Sequence, residues 1–408
     1  MGLNIGLPTS TFLPSLGGVE VGLHNIAIRL LEKGHNPIIV APYSQARVLK
    51  KTWNLPYKVI SFPPKLFYIF SKWPKFGFLI LDIFFFLTKK KHHIDVWHVT
   101  VGYPIGIAFA HFSYKMNNEP HLIRCAGEDI QLMPEIGYGV RMNPQIDKLI
   151  RDWLPKSSCL IAISNSVANE YRKIGVLDNQ IKFIPNGVDL SRFKVEVDKK
   201  EVRKSLGILE NDFVFICVGR NHVKKGFKVL VKAGQLLSLK STRSFKIIFV
   251  GKGVEDLKNN LNEKDKKLFH FIESLSSLDK LSISEDKNNL LMLPGSDLVK
   301  LYKSSDCFVF PSLIETFGIV LVEAMASSLP IITTDGDGCR DIIRNGEDGM
   351  MARHGDSISM ANCMNKMMSD NLVIEKYKKK SLLRVEDFSW DKVVDSYEKT
   401  YLELMKSR

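Results

Sequence analysis

Paired cysteines are missing from this 408-residue sequence. Its six cysteines are scattered, without a C-x-x-C pair, at positions 125, 159, 217, 307, 339 and 363. This spacing argues against a zinc site or a disulfide scaffold and favours a reducing compartment. The first residues also lack a charged segment followed by an apolar one, so no secretory signal peptide is predicted.

Acidic residues are almost absent between Arg47 and Lys91. The segment holds ten basic residues and one acid, Asp82, so it carries nine of the thirteen net positive charges. Twelve aromatic residues are distributed through it. Basic residues interleaved with aromatics are typical of nucleic-acid binding or of contact with an anionic membrane surface.

No apolar run in this segment is long enough to cross a bilayer. The run Phe76–Leu87 is shorter than the roughly 20 residues that a spanning helix needs, and Asp82 interrupts it. Phe84–Phe86 beside Lys89–Lys91 fit two interpretations equally well. They form either a buried helix flanked by solvated lysines or a peripheral contact with an anionic membrane.

Short apolar strands alternate with helical segments on both sides of a polar stretch at residues 191–204. This pattern predicts two doubly wound α/β domains, which bind ligands at the carboxyl ends of their strands. The first is predicted at 1–190 together with a C-terminal helix at 387–408, and the second at 191–386. Residues 254–290 are expected to be polar and helical, and Leu290–Leu293 to form a strand.

A strand–loop–helix unit at residues 307–330 carries two carboxylates. The apolar strand ends at Phe310, and helical spacing runs from Gly318 to Pro330. Glu315 lies in the loop, and Glu323, eight residues later, lies inside the helix. One loop glutamate and one solvated helix glutamate would give the same pattern, because Glu is common on helices.

The start of that helix is a predicted anion site. The backbone N–H groups of Phe317, Gly318 and Ile319 are donors of the first turn, and the helix dipole adds positive potential. Gly318 has no side chain to block a phosphate. Glu315 is then placed to accept hydrogen bonds from a sugar, and Glu323 from a ribose diol.

A basic turn follows the predicted strand Phe213–Val218. Gly219-Arg220 comes first and Lys224-Lys225-Gly226 follows. A forked arginine and a lysine point charge would suit an anionic group such as a phosphate. A solvated basic turn is the alternative interpretation.

The E-x7-E element from Glu315 to Glu323 resembles the nucleotide-sugar site of retaining glycosyltransferases of family 4, the glycosyl transferases group 1. The resemblance extends over most of the chain through further motifs, which are G-G-V-E at 17–20, P-N-G-V-D at 185–189, the basic turn at 219–226, and P-I-I-T-T-D-G-D-G-C-R-D-I-I at 330–343 followed by N-G-E-D-G-M. It implies the α/β GT-B fold. Two Rossmann-like domains then face each other across a cleft, and the C-terminal helix crosses back to the first.

The resemblance also implies roles for individual residues. The catalytic residues would be Glu315, Arg220 and Lys225. The donor-binding residues would be Gly17, Gly18, Gly219, Gly295, Thr316, Phe317, Gly318, Ile319 and Glu323, although a plain tight turn would also explain the glycine pair at 17–18. Acceptor or sugar contacts are assigned to Arg124, Glu128 and Asp129, with loop solvation as the alternative. Ala126 stands where many relatives have a histidine, so that histidine contact is not implied.

The expected function is transfer of a sugar, with retention, from a nucleotide-diphosphate sugar of UDP or GDP type. The acceptor would be a glycan or a lipid-linked sugar in cell-surface polysaccharide or lipopolysaccharide synthesis. No cofactor or metal is expected, because the only D-x-D-like sequence, Asp335–Asp337, lies in a turn after a strand. The location would be cytoplasmic, at the inner face of the membrane, with no nucleic acid bound. Another GT-B enzyme such as a nucleotide-sugar epimerase is one alternative, and a basic nucleic-acid-binding protein is the other.

Overall fold

The computed structural model describes residues 2–15, 17–273 and 294–406. The chain divides into two compact units. The first comprises Met1–Gly187 and Trp390–Arg408, and the second comprises Val188–Ser389. The C-terminal helix thus belongs to the first unit.

A seven-stranded parallel sheet forms the centre of the first unit. Its strands are β1 (Asn4–Pro8), β2 (Asn36–Ala41), β3 (Lys58–Ser61), β4 (Val96–Thr100), β5 (His121–Arg124), β6 (Leu160–Ala162) and β7 (Ile181–Phe183), in the order β3-β2-β1-β4-β5-β6-β7. The central strand β4 is buried along its whole length, as expected for a parallel sheet covered by helices.

In the described part of the first unit, seven α-helices lie between these strands, and an eighth comes from the C-terminal end of the chain. They are Gly18–Glu32, Tyr43–Thr52, Leu66–Lys72, Pro74–His92, Ile107–Lys115, Pro144–Trp153, Asn165–Lys173 and Trp390–Lys406. Ser164 caps the helix Asn165–Lys173, because its Oγ accepts from the Val167 N–H at 3.4 Å. Trp390, Tyr397 and Tyr401 are buried, so the last helix contributes to the core of this unit.

The second unit contains a six-stranded parallel sheet. Its strands are β8 (Phe213–Val218), β9 (Phe245–Val250), β10 (Phe269–Ile272), β11 (Cys307–Val309), β12 (Ile331–Thr334) and β13 (Met350–Ala352), in the order β10-β9-β8-β11-β12-β13. The helical prediction for 254–290 is wrong at β10, where Phe269 pairs with Ile247 of β9. The strand predicted at Leu290–Leu293 lies outside the described residues.

The helices of this unit lie before its first strand, between its strands and after the last one. They are Lys199–Ser205, Phe227–Ser238, Glu263–Lys266, Ser296–Ser304, Ile319–Ala326, Cys339–Ile342, Ser357–Ser369 and Asn371–Val385. The predicted strand–loop–helix unit is confirmed by β11, the following loop and Ile319–Ala326.

The basic, aromatic segment of the first unit forms two helices, a strand and the long helix Pro74–His92. Phe85 of that helix is fully buried, and Phe84 packs half-buried on Phe62 with ring centroids 5.2 Å apart. Lys89 forms an ion pair with buried Glu119 at 2.6 Å. The interpretation of Phe84–Phe86 beside Lys89–Lys91 as an exposed anchor is therefore wrong for Phe85 and Lys89.

Candidate active site

The loop after β11 is fastened to two neighbouring segments. Thr334 Oγ1, at the end of β12, donates to the carbonyl of Ser312 at 2.5 Å. Ser312 Oγ lies 3.0 Å from the carbonyl oxygen of Lys224, and the N–H of Leu313 donates to that oxygen at 2.7 Å. The loop is thereby fixed against both β12 and the basic turn that follows β8.

The basic turn places Lys225 against Glu315. It ends at Gly226, whose φ is +64° and where a Cβ would lie 2.0 Å from the Pro311 carbonyl oxygen, so the close approach requires glycine. Lys225 Nζ donates to Glu315 Oε2 in an ion pair between two largely buried side chains. Nζ also lies 4.9 Å from the centroid of the Phe310 ring. The structure therefore brings together two of the three predicted catalytic residues.

Glu315 keeps its negative charge in this buried position. Burial alone raises the pKa of its carboxyl, but the charges of Lys225 and Lys224 and the hydrogen bonds from Lys225 and Thr316 together hold that pKa below its ordinary value. The Thr316 N–H donates to Oε1 at 3.1 Å. The carboxylate is thus an acceptor that holds the Lys225 ammonium in place.

Gly318 caps the helix Ile319–Ala326 in the left-handed conformation, with φ at +77°. A Cβ at this position would lie 3.2 Å from Cγ of Glu315, so a side chain would crowd the carboxylate. Within the described ranges, no acceptor is found for the N–H groups of Phe317, Gly318 and Ile319. These donors and the helix dipole make the start of the helix electropositive, beside the Lys225–Glu315 ion pair.

Glu323 lies inside the same helix and is 8% exposed. The hydroxyl of the fully buried Tyr302 donates to its Oε2 at 2.9 Å. Burial raises the pKa of Glu323 to about 7, and the Tyr302 hydrogen bond offsets that shift only in part. Its carboxyl therefore changes charge near neutral pH. The sequence analysis missed Tyr302, which lies in the helix Ser296–Ser304 and belongs to no motif.

Arg220 is exposed just beyond the end of β8. No hydrogen bond or ion pair joins its side chain to the described part of the chain. Gly219 before it donates its N–H to the Val250 carbonyl at 2.9 Å, and a Cβ on Gly251 would lie 2.1 Å from the Gly219 carbonyl oxygen. The turns after β8 and β9 therefore approach each other through glycine backbones, and Arg220 extends from that junction without joining the Lys225–Glu315 pair.

Besides Gly318, three predicted donor-binding glycines lie at helix starts. Gly295 precedes the helix Ser296–Ser304. Gly17 caps the helix Gly18–Glu32 in an extended conformation. A Cβ on Gly17 would lie 2.8 Å from Oε2 of Glu20, whereas one on Gly18 would meet nothing within 4 Å. Donor binding by these glycines stays a prediction.

Glu20 is a buried carboxylate that the sequence analysis did not assign. Its Oε1 accepts from the Thr11 hydroxyl at 2.5 Å, and the residue is 7% exposed. The signal was present in the sequence, since Glu20 is the acidic residue of the G-G-V-E motif. The bond fastens the loop before this helix to the helix's first turn.

The predicted acceptor residues have different environments. Asp129 is 5% exposed, and its carboxylate accepts from the N–H groups of Gly102, Ala126 and Gly127 at 2.5, 2.9 and 2.7 Å. Arg124 is 2% exposed and donates to the Asn186 side chain. Both residues therefore organise the interior of the first unit, and Glu128 alone of the three is exposed.

The acidic turn at 335–337 is occupied by local partners. Asp335 Oδ1 accepts from both the N–H and Nδ1 of His354, at 2.8 and 2.7 Å. Asp337 accepts from the Arg340 guanidinium. Across residues 2–15, 17–273 and 294–406, no group of three or more His, Cys, Asp or Glu side chains is placed to hold a metal ion.

Two family models match consecutive parts of the chain. The model of glycosyl transferases group 1 matches residues 198–382, and the model of glycosyltransferase family 4 matches residues 16–192.

Characterised relatives match the chain to different extents. N-acetyl-alpha-D-glucosaminyl L-malate synthase of Bacillus anthracis is 24% identical over 100% of this chain and 98% of the relative. The UDP-Gal:alpha-D-GlcNAc-diphosphoundecaprenol alpha-1,3-galactosyltransferase of Escherichia coli is 28% identical over 56% of each chain.

Solved structures share the architecture. A glycosyltransferase from Rickettsia africae superposes with a TM-score of 0.77 at 21% identity, covering 100% of both chains. Anabaena Alr3699/HepE in complex with UDP superposes with a TM-score of 0.74 at 19% identity, covering 98% of this chain and 100% of that one. The two sheets and these neighbours establish the GT-B fold. With both family models matched in tandem, the chain belongs to the group 1, family 4 glycosyltransferases.

Proposed function

We propose that this glycosyltransferase moves a hexosyl group from a nucleotide-diphosphate sugar of UDP or GDP type, with retention of configuration and without a metal ion. The acceptor is a glycan or a lipid-linked sugar in cell-surface polysaccharide or lipopolysaccharide synthesis. The enzyme acts on the cytoplasmic side, in peripheral contact with an anionic membrane.

One observation carries the proposal. The Lys225–Glu315 ion pair lies beside the electropositive start of the helix Ile319–Ala326, and the buried carboxyl of Glu323 lies farther along that helix. A cation and backbone donors suit a diphosphate, whereas a carboxyl group suits a ribose diol. A nucleotide-diphosphate sugar presents these two features in one molecule.

The proposed reaction breaks the bond between the sugar C1 and its phosphate oxygen, and the electron pair leaves with the diphosphate. Lys225, the exposed Arg220 and the N–H groups at the helix start stabilise that developing charge more strongly than the charge of the intact donor. These groups take the place of a metal ion. The acceptor hydroxyl attacks the same face of C1 and gives its proton to the departing phosphate oxygen, so no protein nucleophile is required.

Glu315 has two roles in this proposal. Its carboxylate holds the Lys225 ammonium in position before the donor arrives, and it accepts hydrogen bonds from the sugar hydroxyls in the complex. Glu323 binds the ribose in the ground and transition states alike, so it contributes to donor affinity rather than to the chemical step. Gly219, Gly295 and Thr316 complete the proposed donor site.

Relatives support the choice of substrates. The Anabaena neighbour is in complex with UDP. The E. coli relative is named for a UDP-galactose donor and a diphosphoundecaprenol acceptor. A lipid-linked acceptor would also explain the net positive charge of Arg47–Lys91, since polybasic segments bind anionic membrane surfaces. Glu128, the exposed member of the predicted acceptor residues, is the strongest candidate for contact with the acceptor glycan.

A thermal-shift screen tests the donor. We expect one class among UDP, GDP and ADP sugars to raise the melting temperature, because a ligand that binds only the folded state stabilises it by mass action. The bound donor is then incubated with lipid-linked acceptor in the presence of EDTA, and the anomeric configuration of the product is read by NMR. An inverted product, or loss of activity in EDTA, would contradict the mechanism. Conversion of the donor without any acceptor would identify an epimerase instead.

A further inference from the structure

The helix Pro74–His92 is apolar on two opposite faces. Its inner face packs into the first unit through Phe78, Leu81 and Phe85, which are at most 7% exposed. Its outer face carries Phe76, Leu79, Ile83 and Leu87, which are 64%, 54%, 53% and 58% exposed. Their spacing of three and four residues aligns them along the solvent side of the helix.

Two exposed aromatic residues precede this helix in the chain. Tyr68 lies in the helix Leu66–Lys72, and Trp73 stands directly before Pro74. Tyr68 is 60% exposed and Trp73 is 57% exposed. We name these six residues the outer strip (Tyr68, Trp73, Phe76, Leu79, Ile83 and Leu87). A surface helix of a soluble protein normally presents polar residues outward, and a contiguous exposed apolar patch marks a site of interaction.

Lysines flank the outer strip at both ends. Lys72 and Lys75 are exposed at the start of the helix, and Lys90 and Lys91 are exposed at its end. Lys90 Nζ lies 4.5 Å from the centroid of the Phe86 ring, so its ammonium is in cation–π contact with that ring.

The acid within the helix is neutralised on the inner side. Asp82 lies 3.0 Å from His111 Nδ1 and 3.3 Å from Lys115 Nζ, and its side chain is 16% exposed. An apolar strip with cations at each end and no exposed acid complements an anionic lipid surface, whose head groups lie just above a hydrocarbon layer.

We propose that the outer strip inserts into the interfacial layer of a bilayer that contains anionic lipid, with the flanking lysines among the head groups. The helix then lies in the plane of the membrane. Within the described parts of the chain, no helix is long and apolar enough to cross one. Trp73 and Tyr68 are residue types that prefer the head-group level. This inference rests on the proposed function, which supplies the membrane-borne acceptor. It adds the surface of the protein that binds the membrane and makes that binding hydrophobic as well as electrostatic.

Flotation of the full-length chain with vesicles tests the insertion. The probe vesicles are phosphatidylcholine alone and phosphatidylcholine with phosphatidylglycerol. The test variant combines Phe76→Gln, Ile83→Gln and Leu87→Gln. The control variant combines Leu239→Gln, Leu372→Gln and Leu383→Gln, which remove three leucines that are 75%, 83% and 62% exposed on the second unit. Both variants lose three exposed apolar side chains and keep the net charge.

The wild type and the control variant are expected to float with the phosphatidylglycerol vesicles and to retain part of that binding in high salt. Affinity of the outer-strip variant should fall roughly a hundredfold at low salt, because three side chains lose their transfer into the lipid. Of the five tryptophans in the chain, Trp73 alone is exposed. Its emission should shift to the blue on the vesicles, and Trp73→Phe should abolish the shift.

Equal binding by wild type and outer-strip variant, or binding that high salt abolishes completely, would overturn the insertion and leave only electrostatic contact. A wild-type dimer in sedimentation that the outer-strip variant dissociates, without vesicle binding, would assign the surface to a second copy of the chain and also overturn it. The assay uses no sugar donor. A failed flotation with an intact thermal shift by nucleotide sugar therefore refutes this inference alone, and the converse result refutes the donor assignment.

Discussion

Replacement of Glu323 by glutamine tests the electrostatics of the candidate site. The side chain is buried and accepts from the Tyr302 hydroxyl, and burial raises its pKa to about 7. Glutamine has nearly the same shape and keeps an oxygen acceptor for Tyr302, but it cannot ionise. The substitution therefore removes the titration and leaves the packing in place.

The sign of the effect follows from the two pKa values of Glu323. In the unfolded chain the carboxyl has its ordinary pKa of 4.5, and in the folded chain the pKa is about 7. Between these two pH values the folded state binds more protons than the unfolded state, so the free energy of unfolding falls as the pH rises. The contribution of the Glu323 carboxyl to that free energy is fully present below the lower pKa and is lost as the pH rises through the higher one. The full difference corresponds to about 3 kcal/mol. For a domain of this size, each 1 kcal/mol shifts Tm by roughly 2–4 °C.

Melting curves of wild type and Glu323→Gln over a range of pH measure this difference. We expect nearly equal Tm values at about pH 5 and a variant more stable by roughly 5–10 °C at about pH 8. Glu375→Gln, on a side chain that is 69% exposed in the same unit, serves as the control and should track the wild type. The donor KM should rise in Glu323→Gln with little change in kcat. Parallel pH dependences of Tm in the two proteins would refute the burial argument.

Three further substitutions probe other parts of the structure. Lys225→Ala should lower kcat/KM on the order of a hundredfold or more by removing the cation at the leaving group. Lys240→Ala, two residues beyond the end of the helix Phe227–Ser238, is the control. Near-normal turnover of Lys225→Ala, with a circular dichroism spectrum like that of the wild type, would contradict the role. Tyr302→Phe should raise the Glu323 pKa further, so the pH at which donor affinity increases should move upward. An unchanged pH dependence of donor affinity would show that the Tyr302 hydrogen bond does not set the Glu323 pKa. Asp129→Asn should destabilise the first unit by about 2 kcal/mol, since its carboxylate accepts from three backbone N–H groups. An unchanged Tm would show that these hydrogen bonds do not stabilise the unit.

Local sequence patterns were sufficient to predict most of the strands of both sheets. Apolar runs such as Phe213–Val218 and Cys307–Val309 became buried parallel strands, because a strand covered on both faces must be apolar throughout. The helix after Gly318 followed from its spacing and from the glycine that begins it. β10 was missed, since its four residues lie in a polar stretch and form a strand only by pairing with β9.

The contacts within the candidate site depended on the tertiary structure. Lys225 and Glu315 are ninety residues apart in the chain, and their ion pair exists because the backbone of Gly226 packs against Pro311. The sequence marked Glu323 as a carboxylate in a helix, but its raised pKa comes from burial and its partner Tyr302 comes from another helix.

The sequence by itself determined which residue types stand near each other along the chain, including the motifs of the family and the basic character of Arg47–Lys91. It left open which face is buried in a helix that carries apolar residues on opposite sides. In Pro74–His92, Phe85 and Ile83 are both apolar and two residues apart, yet one is fully buried and the other is 53% exposed. Only packing against the rest of the unit distinguishes them, because burial depends on which side of the helix meets the core and not on the hydrophobicity of the residue itself.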